Sequence, residues 1–193
     1  MKRIKRIFSP VLAMTLVVLL SACGFGLRGA VDIAPGLKNL AVQSGNQPFQ
    51  RMLMRSLERT GITVSESAPY LVDVISVDEN ERIESTTGGN IVMDYSVNTT
   101  VVWQMVDLAS GSVLIPPQEM NQVGNYQREV NEFNAAQNAK ARLVDELQES
   151  LVQAMTRRIA SITEAELQAK IIEAQEQQQQ SVRPNSRQFA PAL

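Results

Sequence analysis

The chain has 193 residues, with 18 basic against 20 acidic side chains, a net charge of −2 and 44% hydrophobic residues. That is enough for one domain with a proper core, and the mild acidity argues against a broad nucleic-acid surface. With no His and a single Cys, the sequence holds no disulfide pair, no thiolate or imidazole metal cluster, no His general base and no Ser-His-Asp triad, which shifts expectation from catalysis toward binding or assembly.

The chain opens with Lys2, Arg3, Lys5 and Arg6, then a largely apolar run from Ile7 to Leu20 that ends in Leu20-Ser21-Ala22-Cys23. The run is about 14 residues, short of the roughly 20 that span a bilayer. A charged start, a short apolar stretch and small residues make a secretory signal. Its close on Cys is the form processed by the lipoprotein pathway. Residues 1–22 are therefore expected to be a cleaved signal and Cys23 an acylated membrane anchor, held by several acyl chains at about 0.8 kcal/mol per buried CH₂. Gly24, not Asp, follows the Cys, which points to the outer membrane. Residues 23–36 read as a glycine-rich tether. The spacing of Gly24, Gly26 and Gly29 matches a dinucleotide fingerprint, but no strand precedes it and no helix follows.

Leu37 to Gln43 predicts a short strand. Gln47-Pro48-Phe49 opens a helix whose Phe49, Met52, Leu53 and Leu57 share one face, and Gly61 sits at its C′ position. Ile62 to Val64 restarts in extended form, giving a β-α-β opening. Leu71 to Ile83 predicts a long strand with Leu71, Asp73, Ile75 and Val77 on one face and Val72, Val74, Ser76 and Asp78 on the other. Ser85 to Asn90 is the turn. Ile91 to Leu108 follows, with Met93, Tyr95, Val97, Thr99, Val101, Trp103 and Met105 on a bulky face and Asp94, Ser96, Asn98, Thr100 and Gln104 on a polar one. After Ser110-Gly111, a short strand at Val113 to Ile115 is expected to end at Pro116-Pro117, and Gln118 to Arg128 to form a further strand.

A long helix capped by Asn134 carries a stripe of Ala136, Ala139, Leu143, Leu147, Leu151, Ala154, Met155, Ile159 and Ile162. Residues 161–176 extend it, with a capping-box pattern at Thr163 and Glu166. From Gln177 to Leu193 the glutamine-rich, then proline-containing composition predicts a disordered tail. The expected architecture is a two-layer α+β fold, a mixed, mostly antiparallel sheet of about four strands with two helices on one face. It spans residues 37–165, followed over 166–193 by a helical extension and tail.

The start Cys23-Gly24-Phe25-Gly26-Leu27-Arg28-Gly29, the strand Asp94 to Val101, the aromatic strand end at Tyr126, the stretch Asn134 to Lys140 and the helix end at Ile159 to Ile162 together resemble the LptE family of lipopolysaccharide-assembly lipoproteins. The resemblance covers about residues 20–163. It implies an outer-membrane lipoprotein facing the periplasm, with no cofactor and no catalytic residue. Its partner would be the LptD β-barrel, which it plugs and helps to fold, and it would bind lipopolysaccharide. An anionic glycolipid needs cations placed for phosphate. On this resemblance Lys140 and Arg142, early in the long helix, and Arg82, before the hairpin turn, are the candidate contacts, whereas the turn from Ser85 to Asn90 holds no cation.

Two other readings compete. One is an independent lipoprotein that binds a ligand or the cell wall without a barrel. The other is a hydrolase using Asp73, Asp78, Glu81 or Asp94. Against the hydrolase, Asp73 and Asp78 are five residues apart and in a regular strand point to opposite faces.

Overall fold

A computed structural model describes residues 33–87, 92–129 and 132–182. Five strands form one sheet in the order β2-β1-β3-β4-β5. They are β1 (Asn39–Ser44), β2 (Thr63–Val64), β3 (Tyr70–Thr87), β4 (Val92–Asp107) and β5 (Val113–Glu129), joined by helices α1 (Gln47–Arg59), α2 (Phe133–Ala160) and α3 (Glu164–Val182). The class is the expected α+β, mixed and mostly antiparallel. There are five strands rather than four because Thr63 and Val64 pair in parallel outside β1, and three helices rather than two.

Local chemistry sets the opening unit. The Asn46 side chain accepts from the Phe49 N–H at 3.1 Å and starts α1 with Pro48 in its first turn. Gly61 ends it at φ +91°, and the Gly61 and Ile62 N–H groups donate to the Glu58 and Leu57 carbonyls, a Schellman close. α1 buries Phe49, Leu53, Ser56 and Leu57, and Ser56 accepts from the Thr156 hydroxyl of α2 at 2.9 Å inside the helix layer.

β3, β4 and β5 make a ribbon of long antiparallel strands. On β4 Tyr95, Val97, Thr99, Val101, Trp103 and Met105 are buried beneath the helices, as their alternation predicts. The face expectation for β3 holds only to Val74. A bulge between Val74 and Ser76 places Ile75 outward, half exposed, and reverses the alternation beyond it. Val77 therefore joins Val72 and Val74 on the core side. Asp73 and Asp78 come to share the outer face, opposite Gln104 and Thr100, correcting the expectation that they point apart. Those partners lie four residues apart on β4, so the carboxylates stand roughly 13 Å from each other at about 3.3 Å per residue, too far to act as a pair.

β5 also departs from expectation. It continues through Pro116-Pro117, which occupy a bulge between Ile115, opposite Met105, and Gln118, opposite Trp103. Prolines are tolerated there because β5 is an edge strand and its outward N–H groups serve no ladder. β1 reaches only the first residues of β3, Tyr70 to Val74, so β3 from Ser76 onward is a second open edge.

α2 begins at Phe133, with Glu132 at the capping position, so Asn134 lies inside the first turn and is not the cap. Its buried side is Ala136, Leu147, Leu151, Val152, Met155, Thr156, Ile159 and Ala160, with Ala139 exposed. The helix breaks at Ser161. α3 starts afresh with the Thr163 hydroxyl accepting from the Glu166 N–H at 3.2 Å, the first half of the expected capping box. α3 runs to Val182, into the stretch expected to be disordered. Gln is a good helix former, and the Gln178 amide donates to the Ser110 carbonyl at 3.1 Å. Leu167 and Ala174 of α3 and Ile33 and Ala34 before β1 belong to the core.

Candidate functional site

The helix-facing side of the ribbon changes character along its length. Near the start of β3 it is apolar, with Val72, Val74, Val101, Trp103 and Met105. Toward the hairpin it becomes polar. Glu79 lies opposite the buried Thr99, which lies opposite Gln122, and the Gln148 amide of α2 donates to Glu79 at 3.0 Å. One step further Glu81 lies in a row with Val97 and Gly124, and the next row pairs Ile83, Tyr95 and Tyr126.

Gly124 lets α2 approach this region. A Cβ there would lie 2.5 Å from Leu143 Cδ1, so Leu143 and Leu147 rest on the space that glycine leaves. Lys140, one turn before Leu143, is thereby set over the sheet, and its Nζ donates to Glu81 Oε2 at 2.8 Å. The two side chains are 31% and 30% exposed, so the ion pair is partly screened. The Tyr126 hydroxyl donates to the other carboxylate oxygen of Glu81. Tyr126 stacks on Tyr95 with ring centroids 5.2 Å apart, and the Arg128 guanidinium lies 5.2 Å from the Tyr95 centroid.

The electrostatics follow from this grouping. Partial burial acts to raise the Glu81 pKa, but the hydrogen bonds from Lys140 and Tyr126 and the charges of Lys140 and Arg128 outweigh it and hold the carboxyl below its ordinary range. The Tyr126 phenol is pushed well above its ordinary value, first by burial and then by Glu81, so it keeps its proton and serves as a donor.

The three candidate cations are not one cluster. Lys140 is in the Glu81 group. Arg142 is exposed on α2 and has no ion pair among the described residues. Arg82 lies opposite Ser96 on the other face of the sheet. Asp78, Asn80 and Arg82 are exposed on that face, with no helix over them among the described residues, and polar side chains knit the face together. Gln104 donates to Asp73 at 2.8 Å, Gln127 to Asp94 at 2.9 Å, and the Ser85 hydroxyl also donates to Asp94. Sequence reasoning missed Arg128. The signal was available, since Gln122, Gly124, Tyr126 and Arg128 alternate onto the face that carries Tyr95. A groove of about 630 Å³ between α1 and α2 mixes Arg55 and Arg59 with Glu58 and Glu149 and selects no charge class. Among the described residues no group of acidic side chains converges to hold a metal ion, and no helix is long and apolar enough to cross a membrane.

The model of the LptE family, described as lipopolysaccharide-assembly, matches residues 37–159. The chain belongs to the LptE family. Solved lipoprotein structures share the fold of this LptE-family chain. A minor lipoprotein from Acinetobacter baumannii is 19% identical, with a TM-score of 0.56, over 65% of this chain and 92% of its own. Lipoprotein B from Nitrosomonas europaea is 19% identical, with a TM-score of 0.58, over 72% and 91%. The rare lipoprotein B from Shewanella oneidensis is 14% identical, with a TM-score of 0.50, over 74% and 98%. The family match ends before α3. Cys23, the expected lipidation site, lies outside the described residues.

Proposed function

We propose that this LptE-family protein is anchored to the periplasmic side of the outer membrane through acylated Cys23, after removal of residues 1–22. There it is the plug and folding partner of the LptD β-barrel in lipopolysaccharide assembly. The family match over residues 37–159 carries the proposal. The uncovered polar face of β3, β4 and β5 supports it, because a plug inside a barrel lies against polar lumen side chains. The protein also binds lipopolysaccharide, Lys140 and Arg142 contacting it from α2 and Arg82 from the opposite face. Its work is binding and assembly rather than catalysis.

The test is a mild-detergent pull-down of the tagged protein from outer membranes, read by mass spectrometry. A stoichiometric large β-barrel is the expected result. Recovery alone or with cell-wall fragments would overturn the plug role in favour of an independent lipoprotein. In the same experiment Cys23→Ala should leave the protein unprocessed or soluble in the periplasm, and fatty-acid label on that variant would overturn the anchor.

A further inference from the structure

Lys140 meets a ligand only by giving up Glu81, which already occupies it. The Glu81 carboxylate sits where an incoming anion would sit, accepting from Lys140 Nζ at 2.8 Å and from the Tyr126 hydroxyl. Arg128 lies nearby, held over Tyr95, which is stacked on Tyr126, and its charge acts on the Glu81 carboxylate. The groups come from three elements, β3, β5 and α2, and all lie on the helix-facing side of the ribbon near the hairpin. Glu79, the next acidic residue on that side, is held by Gln148 and does not compete. Arg128 has no ion pair of its own among the described residues. Glu81 is on the open edge of β3, beyond the reach of β1, so no neighbouring strand prevents its side chain from turning outward.

We infer that Lys140, Tyr126 and Arg128 form a phosphate-binding site in which Glu81 is a built-in occupant that the phosphate displaces. When Glu81 swings out, the ammonium and the phenol hydroxyl that held it are left facing the vacated space, with the Arg128 guanidinium beside them to turn in, the mix of charged and neutral donors that a phosphate ester satisfies. The carboxylate keeps the cations compensated while the site is empty and sets a threshold on what binds. A ligand with one weak negative charge gains nothing by replacing it, whereas a phosphate brings more charge and more acceptor oxygens. This inference rests on the lipopolysaccharide reading above and adds Arg128, Tyr126 and the competing Glu81 to it.

The test is equilibrium binding by the purified full chain. The probes are lipopolysaccharide, the same lipid with its phosphates removed, and inorganic phosphate. The proteins are wild type, Glu81→Gln and Glu81→Gln with Arg128→Gln. Glu81→Gln keeps size and hydrogen-bonding capacity on an exposed edge and is expected to fold. It should bind lipopolysaccharide roughly tenfold more tightly than wild type, the scale of one charge-assisted hydrogen bond set free. The gain should vanish with the dephosphorylated lipid and with Arg128→Gln. If wild type binds and Glu81→Gln binds no more tightly, the occupant role is wrong and the lipopolysaccharide reading stands. If neither binds, both fall. If Glu81→Gln gains affinity for inorganic phosphate alone, the anion site stands and a lipid headgroup is overturned as its source.

Discussion

Gly124 decides how closely α2 rests on the sheet, and with it where Lys140 lies. Its absent Cβ leaves room for the Leu143 and Leu147 ends. Gly124→Ala should force Leu143 aside at a cost of about 1–3 kcal/mol, as over-packing does. Urea unfolding should show that loss, and a smaller combined loss when Leu143→Ala is added, since the two changes share one space. A single glycine within an alternating strand carries no sequence mark of this role. Glu81 is similar. As one of several acids on a charged strand it looks solvated, and only the reach of Tyr126 across β4 from β5, and of Lys140 from α2, makes it a site residue. Lys140 and Arg142 are candidates on the family resemblance, as early cations of the long helix. Which of them meets an internal acid depends on tertiary placement.

At the scale of elements, α2 has two kinds of footing. Its C-terminal part stands on the apolar core through Leu151, Met155 and Ile159, all fully buried; at its middle Gln148 bonds Glu79, and nearer its start Lys140 bonds Glu81. Met155→Ala should cost about 2–5 kcal/mol through cavity formation, whereas Gln148→Ala should cost about 1 kcal/mol, the worth of one hydrogen bond. Thermal unfolding of the two variants checks the order, and equal losses would show that the polar contact of Gln148 holds the helix as firmly as the apolar core does. The periodicity of α2 was legible over its apolar half, where burial enforces it. It failed at Ala139, which is exposed. β4 was legible throughout because it is central, paired on both sides and covered on one face. β3 was legible only to Val74. A one-residue bulge is an insertion with no required residue type, and it moved Val77 and Asp78 to the faces opposite those expected.

For the whole molecule, α3 ties the two ends of the fold together. The Gly36 N–H donates to Glu164 at 3.4 Å, and Leu167 fills the space over Gly36, where the chain emerges from the expected tether. Truncation after Gln175 keeps Leu167, Ile171 and Ala174 and should leave the melting temperature nearly unchanged. Truncation after Thr163 removes them and should lower it by several degrees, because a loss of a few kcal/mol moves a domain of this size by about that much. Differential scanning calorimetry distinguishes the two, and equal melting temperatures would show that α3 rests on the fold without holding it. The sequence read this segment as marginal because its apolar residues are few and its glutamines are ambivalent between helix and coil. Its docking becomes visible only beside Gly36 and Val113. The two open edges of the ribbon bear on how such a chain stays unaggregated. Left unpaired, β3 beyond Ser76 and β5 from Gln118 are backbones that could recruit strands from other chains. Asp78, Glu79, Glu81, Arg82 and Glu84 on one edge, and the paired prolines with Glu119 and Glu129 on the other, act as guards against that, so the charge gathered near the hairpin also blocks edge-to-edge pairing.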